Sequence, residues 1–244
     1  MPDSTDTNEA IWKSDSAISH WVLTADDRER RRADERLLVA ELLPFDDDEQ
    51  FTFVDLGAGT GAAARVVLDR FPGARAILAD YSLQMMEHGR RELSAFGDRY
   101  QYVEFDLACD PWPTAIPSEV DAVISSLCVH HLPDERKGEL FVDIVEHLVP
   151  GGWYLNYDPI RAEDAVVEAA WQRAGDRRDP EATAKRTNRT PEEQARYENH
   201  LRYMIPLAPQ LDLLREAGFE AIDVYWKRLD HVIYGGRRPL KGGS

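Results

Sequence analysis

A doubly wound α/β fold, with a mostly parallel sheet and one reversed strand near its end, is what the pattern of this chain predicts. Three observations carry that expectation. Strand-like and helix-like segments alternate from Phe51 to Asp158, a glycine-rich turn joins the first strand to its helix, and two strands near the C-terminus follow one another with only a short turn between them. Alternation of that kind produces parallel strands covered on both faces, and a tight turn between consecutive strands makes them antiparallel.

Before the first strand, Ala33, Leu37, Leu38 and Leu42 recur at helical spacing between Asp26 and Leu43, and Pro44 closes the segment. Upstream, the aromatic-rich stretch with Trp12, Trp21 and Leu23 reads as core packing or as a cover over a cleft, and Met1 to Ala10 as a polar tail. The first strand, Phe51 to Val54, runs into Asp55-Leu56-Gly57-Ala58-Gly59-Thr60-Gly61 and then into the small and apolar residues of a helix. Alternate glycines permit a turn too sharp for other residues and let a ligand approach bare backbone, while the helix N-terminus adds unpaired N–H donors. A loop that merely turns a corner has the same composition, so the rest of the chain must decide.

A second strand, Ala74 to Ala79, ends on Asp80, about 20 residues beyond the glycines, where a β-α-β unit places a carboxylate against the hydroxyls of a bound ribose. Ser82 caps the next helix, whose apolar face carries Leu83, Met85 and Met86. Tyr100 to Phe105 alternates into a third strand closed by Asp106, on the same rim as Asp80 and able to accept from an exocyclic amine or to cap a loop. Val120 to Leu127 is apolar on both faces, as a buried parallel strand is, and leads to His130-His131-Leu132-Pro133. Neighbouring histidines point to different sides in most backbone conformations, so no shared metal is expected there. Helix Asp134 to Leu148 stops at Pro150-Gly151-Gly152, and a fifth strand, Trp153 to Tyr157, ends on Asp158.

From Arg161 to Pro206 the pattern is helical but highly charged. Lying after a strand's C-terminal end, this insertion is placed to cap the ligand rim. Basic residues dominate between Arg173 and Arg189, as a solvated surface or as an attractor of an anionic substrate. A short helix, Gln210 to Ala217, ends at Gly218, and the hairpin Glu220 to Trp226 and His231 to Tyr234 completes the sheet.

Composition bounds function. The chain has 244 residues, 43% hydrophobic and 30% charged, which fits one soluble domain with an insertion. A formal charge of −16 argues against the broad basic surface that nucleic acid requires. Cys109 and Cys128 stand in no metal-ligand spacing, consistent with a reducing cytoplasm, and the absence of a long apolar run predicts no membrane partner.

Taken together, Asp55 to Gly61, Ala79-Asp80-Tyr81-Ser82 with Met85, Asp106-Leu107, Ser125 to Leu132, Pro150-Gly151-Gly152 and Ala217-Gly218-Phe219 resemble the class I S-adenosylmethionine-dependent methyltransferases of the small-molecule type. The resemblance implies a Rossmann-like, doubly wound seven-stranded sheet with the last strand antiparallel, and here a helical cap after strand 5. Its domain plan is 1–50 as tail and helices covering the cofactor cleft, 51–160 as the S-adenosyl-L-methionine (SAM) core, 161–206 as the cap, and 207–244 as the end of the core. It further implies that Gly57, Ala58 and Gly59 lie against the methionine part of the cofactor, that Asp80 takes the ribose hydroxyls, that Tyr81 and Met85 border adenine, that Asp106 and the Leu107 amide read its edge, and that Ser126 lies under the sulfonium. Trp21 or one of Arg30 to Arg32 is a candidate to close over the amino-acid carboxylate. The expected reaction is methyl transfer to an oxygen or nitrogen of a small molecule. His131 and Asp158 are the leading candidates for a base, with His200 behind them and no metal. A homodimer is a candidate assembly. An NAD(P)-dependent oxidoreductase and a non-catalytic SAM-binding partner subunit remain the alternatives, because a glycine loop with a strand-end acid serves them too.

Overall fold

The computed structural model describes residues 25–109, 111–179, 183–184 and 187–240. The aromatic entry segment with Trp21 lies outside them, as do Lys185 and Arg186 of the basic loop. Strands β1 (Thr52–Leu56), β2 (Arg75–Asp80), β3 (Tyr100–Glu104), β4 (Val120–Ser126), β5 (Leu148–Pro159), β6 (Glu220–Arg228) and β7 (His231–Arg237) form one seven-stranded sheet in the order β3-β2-β1-β4-β5-β7-β6. All neighbours among β1 to β5 pair in parallel, and β7 is antiparallel to both β5 and β6. The reversed strand is therefore the last one, as the hairpin predicted.

Helices α1 (Ala25–Glu41), α2 (Ala62–Arg70), α3 (Leu83–Glu92), α4 (Asp134–His147), α5 (Ala165–Arg178), α6 (Pro191–Leu201) and α7 (Leu207–Glu216) surround the sheet or extend from it. The pleat of the central strands divides their side chains between two cores. Val54, Ile77 and Val123 pack on one face with Leu140, Phe141 and Ile144 of α4 and Leu214 of α7. Phe53, Ala76, Leu78 and Ile124 pack on the other with Val39 and Ala40 of α1 and Ala64, Val67 and Leu68 of α2. Strands buried on both faces have no polar side, which is why the centre of β4 is the apolar run Ala122-Val123-Ile124.

Two details depart from the sequence reading. The connection from β3 to β4 has no helix among its described residues; it is held by Trp112, which stacks on His147 with ring centroids 4.5 Å apart and meets Phe105 edge-on at 5.8 Å. Pro150-Gly151-Gly152, expected to separate α4 from the fifth strand, lies within β5. Leu148 already pairs with Val120, a register shift absorbs the irregular stretch, and the amide of Gly151, a residue at φ 84°, donates to the Arg238 carbonyl at 3.0 Å while the Arg238 amide donates to the Gly152 carbonyl at 2.8 Å.

The insertion is tied down at its base. The Arg161 amide donates to the Ile205 carbonyl at 3.2 Å, joining its two ends. The fully buried Lys137 of α4 donates to Asp134 Oδ1 at 2.9 Å and to the Tyr203 carbonyl. That arrangement fixes α6 over the C-terminal rim of the parallel strands, the edge at which open α/β sheets bind ligands.

Candidate active site

A cavity of about 790 Å³ opens at this rim, within the roughly 300–1,000 Å³ of ligand clefts. Its floor is the glycine turn. Gly57, Gly59 and Gly61 have φ of 66°, 55° and 77°, a region that L side chains rarely enter. Gly57 is also sterically closed, because a Cβ there would lie 2.1 Å from Cys128 Sγ. The Gly57 and Ala58 amides both donate to the Ala79 carbonyl, at 2.8 and 3.1 Å, which locks the turn onto β2. Asp55 completes it from below: its Oδ2 accepts from the Ala64 amide in the first turn of α2 at 3.1 Å, a cap the helix otherwise lacks, since Gly61 offers no side chain.

Burial raises the Asp55 carboxyl from 3.8 to about 7, opposed by the Ala64 N–H and by Arg36. A carboxyl whose folded value is raised contributes stability below 3.8 that is lost as the pH climbs through 7. Asp55→Asn keeps an oxygen for the Ala64 amide and does not titrate. Its stability relative to the parent should therefore improve on going from pH 4 to pH 7, by on the order of 1 kcal/mol per pH unit, as read from urea midpoints. A pH-independent difference between the two proteins would refute this.

Asp80 sits at the end of β2 with both oxygens engaged: Oδ2 accepts from the Gly59 amide at 2.7 Å and Oδ1 from the Ser82 amide at 2.8 Å. Burial raises its carboxyl above the usual range while these N–H groups pull it down. The Tyr81 amide adds a further N–H interaction with this carboxylate, and Asp80 lines the cavity. Met85 lies over the turn, its Cε 3.2 Å from where a Gly59 Cβ would stand. Tyr81, Asp106 and Leu107 line the same wall, with Asp106 Oδ1 accepting from the Ala108 amide at 2.9 Å. Ser126 lines the opposite wall, where its Oγ is buried without a hydrogen-bond partner. All the expected cofactor residues, Gly57, Ala58, Gly59, Asp80, Tyr81, Met85, Asp106, Leu107 and Ser126, thus border one space.

Several supporting residues escaped the sequence reading. The Tyr102 hydroxyl donates to the Gly59 carbonyl at 3.1 Å, and Gly89 of α3 is what admits it, since a Cβ there would lie 1.8 Å from that oxygen. Arg136 Nε donates to the Leu107 carbonyl at 2.7 Å and fixes the peptide beside Asp106. Leu127, a non-glycine residue at φ 59°, turns the chain sharply after Ser126 and is held there by its amide bond to the Tyr157 carbonyl at 2.8 Å.

The far end of the cavity is lined by histidines. His130 and His131 lie in a 3₁₀ turn, Val129–His131, which places adjacent rings side by side, centroids 3.9 Å apart, and so overrides the expectation that they diverge. His200, from the last turn of α6, completes the group, its Nδ1 3.3 Å from His130 Nε2. Asp158 does not line the cavity: fully buried on β5, it accepts from the His130 amide at 2.7 Å and meets His130 Nδ1 at 2.7 Å. Burial favours the uncharged state of every imidazole, taking His130 down from 6.5 to about 3, His200 to about 4 and His131 well below its usual value. The Cys128 thiol is pushed up by burial and is not a thiolate nucleophile. The cations lining the cavity include Arg32 and Arg36 of α1, whereas Arg173, Arg177 and Arg178 of the basic stretch do not line it, and Arg189 lies over the Tyr197 ring at 3.6 Å.

A doubly wound sheet with this topology, a left-handed glycine turn under a strand-end carboxylate and a cavity beneath a cap form an open α/β protein with a ligand-sized cleft at the C-terminal rim of its parallel strands. Residues 53–152 match the family model described as a methyltransferase domain. The chain is similar to the trans-aconitate 2-methyltransferase of Azoarcus sp. (strain BH72), 33% identical over 124 residues, or 51% of this chain and 44% of that protein. It also resembles a demethylmenaquinone methyltransferase of Thermus thermophilus, 33% identical over 101 residues, 41% of this chain and 43% of that one. The matched part therefore spans less than half the length of either relative. Among solved structures, an O-methyltransferase family protein from Burkholderia thailandensis superposes with a TM-score of 0.71 at 19% identity, covering 98% of this chain and 64% of that one. The human N-acetylserotonin methyltransferase in complex with SAM gives a TM-score of 0.65 at 19% identity, over 98% and 60%. Residues 53–152 are thus similar in sequence to methyltransferase domains, and the whole described chain shares the fold of the methyltransferase structures.

Proposed function

We propose that this protein binds SAM in the glycine cradle and transfers its methyl group to an oxygen or nitrogen of a small molecule held beneath the cap. The observation that carries the reading is one continuous cavity with the Asp80 and Gly57 to Gly59 cradle at one end and side chains of the cap helix α6, Tyr197, His200 and Leu201, at the other. The cradle fits the cofactor on its own terms. Its glycines put bare backbone on the cavity wall, Asp80 brings a carboxyl to the same wall, and the unpartnered Ser126 Oγ awaits a polar neighbour.

When bound, SAM supplies a methyl already activated on a sulfonium. The chain's task is then to orient the donor, align the acceptor and exclude water. Gly57, Ala58 and Gly59 lie against the amino-acid part, Asp80 holds the ribose, Tyr81 and Met85 flank the adenine, and Asp106 with the Leu107 amide reads its edge. Ser126 borders the reacting end. Of the two base candidates, His131 is on the cavity and uncharged, able to take a proton from an acceptor hydroxyl or amine. Asp158 acts instead as a positioning residue, orienting the His130 ring from behind. The cap, 161–206, and α1 select the acceptor, and the Arg32 and Arg36 side chains on the cavity favour one bearing a negative charge.

Calorimetry with S-adenosylhomocysteine (SAH) should give a single-site isotherm, and mass spectrometry should show a gain of one methyl on an acceptor from a panel of small carboxylates, phenols and amines. Binding of NAD(P)H in place of SAH would favour the oxidoreductase reading, and SAH binding with no turnover across the panel would favour a partner subunit.

A further inference from the structure

We propose that His130, His131 and His200 form a binding site for one divalent transition-metal ion of the zinc type at the acceptor end of the cavity. One ring nitrogen from each residue lies within 4.8 Å of the others. His130 Nε2 and His200 Nδ1 are 3.3 Å apart. Tetrahedral zinc with Zn–N bonds of about 2.0–2.1 Å has ligand atoms separated by roughly 3.3–3.4 Å, so one edge of such a shell already exists, and the third corner requires His131 to close in by rotation of its ring.

The support behind the first ligand is the strongest sign. Asp158 faces His130 Nδ1 at 2.7 Å and also accepts from the His130 amide, so in the tautomer with the proton on Nδ1 the ring donates to Asp158 and turns its Nε2 lone pair to the cluster. A carboxylate that fixes the tautomer and orientation of a histidine is the usual outer partner of a metal ligand. Lys137 of α4, Arg32 of α1 and His231 of β7 face the cluster from other elements, and Asp158 is the acidic group set among them. The elements bring the ligands together from a 3₁₀ turn after β4 and from the cap, so metal binding would also clamp α6 over the cavity.

Three protein ligands leave a fourth position facing the cavity, the arrangement of catalytic rather than structural zinc. With the metal in place His131 is a ligand and no longer the base, and an acceptor hydroxyl bound at the fourth position would instead lose its proton to solvent and stay on the metal as the oxyanion, the stronger nucleophile. That last step rests on the methyltransferase reading; metal binding itself does not.

The test uses the full chain stripped with a chelator and then titrated with Co²⁺ and, in competition with a chromophoric chelator, with Zn²⁺. One equivalent should bind, Co²⁺ with the intense visible bands of tetrahedral coordination, and X-ray absorption at the zinc edge should show three imidazole ligands. His200→Ala should weaken Zn²⁺ binding at least about 10-fold and Asp158→Asn by about 10–100-fold. An unchanged SAH affinity in His200→Ala would show that the fold is intact. Absence of a one-equivalent site in the parent, a zinc-edge spectrum without imidazole, or binding that His200→Ala leaves untouched would overturn the proposal and leave a hydrogen-bonded histidine relay. Failure of SAH to bind the parent would overturn the methyltransferase reading instead and leave the metal result standing.

Discussion

Gly57→Ala is expected to lower thermal stability by roughly 6–12 °C, about 3 kcal/mol for a chain of this size, and to abolish measurable SAH binding. Two independent costs combine at this position. The backbone at φ 66° costs an alanine about 1–2 kcal/mol for entering the left-handed region. The added methyl would also stand 2.1 Å from Cys128 Sγ and 2.6 Å from Cys128 Cβ, well inside contact distance, so either the turn or the segment after β4 must move. Neither can move freely. The Gly57 amide is bonded to the Ala79 carbonyl at 2.8 Å, and the segment carrying Cys128 is fixed by the Leu127 amide on Tyr157. Because Ser126 and the glycines face the same cavity, relief of the clash distorts both walls of the cradle. The double variant Gly57→Ala with Cys128→Gly separates the two costs. It should recover the steric part of the stability and retain the conformational part. Wild-type stability and affinity in the single variant would show that the turn is not the tight cradle described.

That contact also marks how far the sequence reaches. The glycines, Asp80, Asp106 and the closing hairpin were legible because each follows from a local rule: a turn that needs positive φ, an acid at a strand end, a loop too short for a crossover. The partners that make them work were not, because they come from elsewhere in the chain. Nothing near Gly57 announces Cys128, and nothing near Gly59 announces Tyr102 or the Gly89 that makes room for it. The positive φ of Leu127 has no signature in its side chain and is imposed by the packing around it. The histidines show the same limit. Adjacent residues diverge in a strand or an ordinary loop, and only the 3₁₀ turn sets His130 and His131 side by side, while His200 arrives through a cap that Lys137 pins to α4. Asp158 was rightly placed at a strand end, yet its side chain faces the buried side of His130. Spacing along the chain gives which end of a strand a residue occupies, and tertiary packing decides what its side chain meets there.

Asp80→Ala is expected to weaken SAH binding by about 10²-fold or more while shifting the melting temperature by only a few degrees. The carboxylate spans two amides, Gly59 N–H at 2.7 Å and Ser82 N–H at 2.8 Å, and in the proposed role it also accepts from the two ribose hydroxyls. Hydrogen bonds to a charged acceptor contribute about 1.5–3 kcal/mol each, so losing two of them corresponds to roughly two to four powers of ten in affinity. Stability falls far less, because removing the group also relieves the cost of burying a carboxyl whose ionisation is already disfavoured. Gly59 and Ser82 line the cavity, so water entering the space left by the carboxyl can take up the freed amides. Asp80→Asn is the sharper comparison. It preserves shape and volume but turns one oxygen into an N–H₂ donor, which must then face either the Gly59 or the Ser82 amide, so it should bind SAH nearly as poorly as the alanine variant. If the Asn variant binds like the parent, the site needs only a neutral acceptor at this position. If the Ala variant does so too, the ribose lies elsewhere and the cradle holds a different part of its ligand.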